Sequence, residues 1–192
     1  VCAAILCIFT LYHTFMLPRP KADASVLEGE KPTVGAIMME FGRTFATYFK
    51  KPGVWLAIVF MLLYRLPEGF LLKLCQPFLL ASQDVGGLGM TTKSVGVAYG
   101  TVGVIFLTIG GIIGGLFASK VGLKKALWLM ALGMTLPCLS FVYLAIYQPT
   151  NIWIISVAIA IEQFGYGFGF TAYMLYMMFF SEGKSKTSHY SI

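Results

Sequence analysis

Charge is what this sequence has least of. Only 11% of its 192 residues are Asp, Glu, Lys or Arg, against about a quarter in a soluble domain. The net charge is +6, yet there is no basic cluster on a soluble domain to hold a nucleic acid. The cysteines, Cys2, Cys7, Cys75 and Cys138, lie in apolar segments without zinc-like or redox-like spacing, and read as small core residues. His13 and His189 are far apart in sequence, each more naturally a lone polar residue than a metal ligand. HExxH, GxSxG and Walker A patterns are missing. Neither enzyme chemistry, a metal nor a cofactor is expected. A charged signal-peptide n-region is lacking as well.

Apolar residues are abundant, at 58%. A helix needs about 20 mostly apolar residues to cross the hydrocarbon, and several stretches qualify. The expected fold is an all-α polytopic membrane protein. Val1–Leu17 reads as the end of one helix, closed by Pro18 and Pro20. A polar linker follows (Arg19–Pro32), then VGAIMMEFGRTFATYFKK. There Ile37, Met38, Phe41, Phe45, Tyr48 and Phe49 recur at helical spacing, with Glu40, Arg43, Thr44 and Thr47 mostly opposite. That pattern predicts an amphipathic helix in the membrane interface.

Four full spans are expected beyond it. The first runs from Pro52–Gly53 to about Ser82, with bends at Pro67 and Pro77. After the loop Gln83–Thr92, the others cover Lys93–Ala118, Ala126–Tyr147 and Ile152–Phe180. A tight basic turn is predicted over Ser119–Lys125 and a short one over Gln148–Asn151. The first residues resemble half a span and the closing KTSHYSI the approach to another, so the chain is expected to be part of a longer one. The expected division is 1–17, 18–52 and a helical bundle over 53–192.

Loop charge predicts orientation. One side collects Arg19, Lys21, Lys31, Arg43, Lys50, Lys51, Lys120, Lys124, Lys125, Lys184 and Lys186, whereas the other has Lys93. The basic side, including 18–52 and 119–125, should be cytoplasmic. In the second span Gly96/Gly100, Gly110/Gly114 and Gly111/Gly115 stand four apart. Such spacing serves close helix packing or a sliding contact.

The charges inside the spans carry the functional signal. In LLYRLPEGFLLKL, with Arg65 at zero on a helical wheel, Glu68 falls about 60° to one side. Gly69, Lys73 and Gln76 fall within about 80° on the other, giving one polar arc of roughly 140°. In the last span Tyr166, Gly169, Tyr173 and Tyr176 lie within about 40° of Glu162, with Gly165 near and Gln163 on the flank. An unpaired charge at the bilayer centre costs about 2.5–3.5 kcal/mol on insertion scales, so such groups usually face a bundle interior or wet cavity. Two readings remain open for each. Arg65–Glu68 is either part of a solute path or a structural i, i+3 ion pair. Glu162 is either functional or a hydrogen-bonded structural carboxyl, and the tyrosines line a cavity or merely pack.

These residues resemble a family. GGLFASKVGLKK is similar to the loop motif of the major facilitator superfamily, with Gly115, Lys120, Gly122, Lys124 and Lys125 matching and Ser119 where the usual acid stands. LYRLPEGF and EQFGYGFG further resemble AmpG-type muropeptide permeases and the related acetyl-coenzyme A transporters. The resemblance implies a twelve-helix transporter, here from the end of helix 6 to the start of helix 11, packing with an N-terminal half of its own chain. It also places the Arg65 and Glu162 helices on the central cavity.

The implied activity is proton-coupled import of anhydromuropeptides across the inner membrane. The partners are a small solute and the bilayer, with the proton as coupling ion and no cofactor. Arg65, Lys73, Gln76, Gln163, Tyr166 and Tyr173 are the expected solute contacts. Glu68 and Glu162 are the expected proton carriers, because burial favours a protonated carboxyl. Gly115, Lys120, Gly122, Lys124 and Lys125 would form a gating loop. A transporter for another anionic metabolite or acyl-coenzyme A is the nearest alternative. A membrane-embedded enzyme or a non-transporting sensor is the alternative of another class.

Overall fold

A computed structural model of the chain describes residues 2–16 and 33–181, the side chains of Cys2, Ile5, Ile37 and Glu40 excepted. The expected linker over 19–32 with Arg19, Lys21 and Lys31, and the tail carrying Lys184, Lys186 and His189, lie outside the described residues. Within them every regular element is helical: α1 (Cys2–Met16), α2 (Val34–Phe49), α3 (Val54–Leu80), α4 (Thr92–Val121), α5 (Leu123–Tyr147) and α6 (Ile152–Ser181). The last four are long and apolar enough to cross a membrane. The described chain is thus an all-α polytopic membrane protein.

Local chemistry sets the ends. Thr91 caps α4 by accepting from Ser94 N at 3.2 Å, and Asn151 Oδ1 caps α6 by accepting from Trp153 N at 2.9 Å. After α3 the chain folds back on that helix's last turn, where Leu88 N and Met90 N donate to the Phe78 and Leu79 carbonyls at 3.0 and 2.8 Å. The predicted basic turn over 119–125 proves nearly all helical. A single residue, Gly122, separates α4 from α5, at φ 84°. Glycine alone takes that conformation without strain from a Cβ, so the reversal shrinks to one position.

Helix interiors depart from regularity at identifiable places. α3 continues through Pro67 and Pro77, which remove two ladder hydrogen bonds without ending the helix. α5 tightens into a 3₁₀ turn over Leu136–Cys138, at Pro137. α4 contains a π-helical turn, Ala98–Gly103, which the sequence pattern did not predict.

α6 is the central helix. Half of its membrane window is buried, against 22% for each other span. Glycines allow this. A Cβ on Gly110 would meet the Phe164 carbonyl, one on Gly114 the Phe168 carbonyl, and one on Gly167 the Leu107 carbonyl, so α4 and α6 approach backbone to backbone. Gly165 and Gly169 do the same against α5, at Gly133, Pro137 and Met134. By contrast, Gly96 and Gly100 have open space around them. Among the described residues, close packing therefore accounts for Gly110 and Gly114 and not for the first glycine pair.

One apolar cluster, including Leu79, Leu144 and Ile159, fills the bundle toward the 81–91 loop. Another, around Met130 and Ala172, fills the basic end. Outward side chains such as Leu63, Trp128 and Val157 are exposed, as suits a surface solvated by lipid.

Candidate functional site between α3 and α6

Glu68, Glu162 and Gln163 are buried polar groups of the spans, at 2%, 3% and 7% exposure. Arg65 and Glu68 stand one turn apart on α3. Arg65 Nη1 lies 3.0 Å from Glu68 Oε2. The pair is close but poorly aligned, since neither Glu68 oxygen has a hydrogen-bond partner among the described residues. Glu68 is thus held by charge and by little else. Arg65 is a third exposed, so the ion pair has a buried anion and a reachable cation.

α6 supplies a cage for that cation. Arg65 Nη1 donates to Tyr166 Oη at 3.3 Å. The guanidinium sits 5.8, 5.1 and 5.8 Å from the ring centroids of Tyr166, Phe170 and Tyr173. Ring faces are negative, so each attracts the cation. Positions 166, 170 and 173 are four and three residues apart, which aligns them on one helix face. The wheel found Tyr166 and Tyr173. It missed Phe170, whose signal was this same i, i+4, i+7 aromatic spacing.

Tyr64 was missed too. It is buried, and its hydroxyl donates to the Gly169 carbonyl at 2.8 Å, tying α3 to α6. Tyr64→Phe should cost about 1 kcal/mol, read as a lowered Tm in detergent.

The second carboxyl is differently placed. Glu162 Oε2 accepts from Gln163 Nε2 at 2.8 Å. It lies within Coulombic reach of Glu68, and of the Cys75–Tyr99 pair that contacts across α3 and α4. The other sequence candidates spread out. Lys73 and Gln76 are exposed on α3, beyond the cage. Lys120, Lys124 and Lys125 stand exposed beside Gly122, and Gly115 meets only a methyl of Thr171. Gly165 and Gly169, grouped with Glu162 by the wheel, serve packing against α5.

A cavity of about 440 Å³ opens beside Arg65 toward the basic end. Its walls include Met61 and Arg65 of α3, Tyr173 and Phe180 of α6, and Tyr48 and Phe49 of α2. Lys51, just after α2, donates from Nζ to the Phe180 carbonyl at 2.9 Å. Desolvation holds its ammonium below the usual lysine range. Burial raises the Tyr48 phenol above its ordinary value, as do the neighbouring Tyr176 and Tyr173. Among the described residues no cluster of His, Cys, Asp or Glu could hold a metal ion.

No family model and no solved structure matches the chain. Curated proteins do. It is 31% identical over 180 residues to "Putative transporter AmpG 2" of Rickettsia felis, covering 91% of this chain and 39% of that protein. It is 27% identical over 175 residues to the protein of the same name from Rickettsia prowazekii, again 91% and 39%. To "Putative transporter AmpG 1" of Rickettsia felis it is 29% identical over 136 residues, 71% of this chain and 29% of that one. The chain therefore spans between a quarter and two-fifths of the length of these relatives. Their names describe transporters rather than enzymes, in accord with the missing enzyme signatures. With its four spanning helices and this likeness, the chain is a polytopic membrane protein that resembles the AmpG transporters.

Proposed function

We propose that the chain forms part of a secondary transporter that imports anhydromuropeptides with protons across the inner membrane, its basic end facing the cytoplasm. The observation that carries this reading is the Arg65 cage: a reachable guanidinium, ringed by three aromatic faces and paired with a buried carboxylate. A guanidinium forks onto carboxylates, and aromatic faces suit sugar rings. A muropeptide carries both groups.

A solute carboxylate taking Arg65 would leave Glu68 uncompensated, and a bound proton would relieve it. Glu162, buried nearby, is the second proton site. Alternating access moves the site between the two faces. Gln163, Lys73 and Gln76 would meet outlying parts of the solute, and Gly115, Lys120, Gly122, Lys124 and Lys125 would gate the basic face. The loop bias of lysine and arginine supports the orientation.

The test is uptake of labelled anhydromuropeptide into vesicles bearing the full-length protein, with and without a proton gradient. Glu68→Gln and Glu162→Gln should each lower gradient-driven uptake by about tenfold or more while insertion is unchanged. Normal uptake by both variants would remove the carboxyls from coupling. Uptake of acyl-coenzyme A or another anionic metabolite in place of the muropeptide would favour the neighbouring substrate class.

A further inference from the structure

An amphipathic interfacial helix is expected to lay its whole apolar face in lipid. α2 does not. Met38 and Phe41 are each 63% exposed, whereas Tyr48, the penultimate residue of the helix, is 5% exposed. Among the described side chains of α2, those of the last turn are docked, and they are docked on the cavity. Tyr48 meets Phe180 edge to face with ring centroids 6.0 Å apart, and Phe49 lines the same space. Lys51 then bonds the Phe180 carbonyl in the last turn of α6, with its ammonium 5.6 Å from the Phe180 ring centroid.

We propose that α2 is a wall of the solute cavity, with Tyr48 and Phe49 contacting the bound solute and Lys51 fastening the helix to the end of α6. The ligand class follows from the walls. Arg65 takes a carboxylate, and Tyr48, Phe49, Met61 and Phe180 accept a ring-bearing or apolar body beside it. A cavity of about 440 Å³ is of the size that holds such a group. This assignment rests on the reading that the Arg65 cavity binds solute, and it makes the segment before the bundle part of the binding site.

The test places a thiol at Ile58, which lines the cavity and is half-buried with α2 docked, in the full-length protein in vesicles. An impermeant maleimide is added at the basic face. Labelling is counted above that of the same protein without the introduced thiol. Losing a hydrogen bond to a charged group shifts a docking equilibrium by about tenfold, so Lys51→Met should raise the labelling rate by that factor. Tyr48→Ala should raise it similarly and increase the KM for solute more than it lowers the maximal rate. Lys51→Arg, which keeps a cationic donor, should label as the parent does.

Unchanged labelling in Lys51→Met and Tyr48→Ala, both inserted normally, overturns the wall. So does an increase that Lys51→Arg shares in full. Because labelling is read without solute, the substrate reading fails separately, through lack of protection of the introduced thiol by anhydromuropeptide.

Discussion

Arg65→Gln should destabilise the bundle by about 3 kcal/mol, because it strands a charge. Glu68 is 2% exposed and neither of its oxygens has a hydrogen-bond partner among the described residues. Its compensation is the Arg65 guanidinium at 3.0 Å. Breaking a buried pair from one side leaves the other ion uncompensated, which costs more than the pair itself contributes. The lower end of the usual range applies here, since Arg65 is one-third exposed and partly hydrated.

The double variant Arg65→Gln/Glu68→Gln should recover most of that loss, as it leaves no charge to strand. Thermal unfolding in detergent reads the first effect, and uptake reads the second. If the two residues serve only each other, the double variant transports like the parent. The proposed function expects it to be stable and inactive. One pair of measurements therefore separates an ion pair kept for neutrality from one that solute must open.

The second large effect lies in the contact between α4 and α6. Gly167→Ala sets a methyl against the Leu107 carbonyl and close to Gly111 N, and Gly110→Ala sets one against the Phe164 carbonyl. Backbone cannot rotate aside as a side chain can, so the helices must part. Overpacking costs about 1–3 kcal/mol where side chains yield, and these positions should reach or pass the upper figure. The expected result is a steep fall in Tm and in the yield of folded protein.

Gly96→Ala is the control. Its surroundings are open, and alanine in a helix gains about 0.5–1 kcal/mol over glycine. A tolerated Gly167→Ala would mean that the contact between α4 and α6 is looser than the backbone approach requires, and would favour sliding over close packing.

Much of this molecule is local, and local features were legible. Four apolar runs gave four spans, because hydrocarbon thickness sets the length a helix must have. Positions 65 and 68 had to meet, because i and i+3 are neighbours on any α-helix. Thr91 and Asn151 start helices by hydrogen bonds within three residues.

A helical wheel assigns residues to a face and leaves open which neighbour that face meets. It grouped Lys73 and Gln76 with Arg65, yet they are exposed while Arg65 turns to the α6 rings. It set Gly165 and Gly169 beside Tyr166 and Tyr173. Packing then divided that arc: the glycines admit α5, and the tyrosines reach over to α3. The π-helical turn in α4, the Tyr64 bond to α6 and the seat of α2 on the cavity are likewise products of contact between helices. The sequence by itself determined which residues are in the membrane and which of them are charged. How far each helix is rotated, and so which charge has a partner and which faces open space, was decided only when backbones met at glycine, since close approach is a property of two helices and not of one.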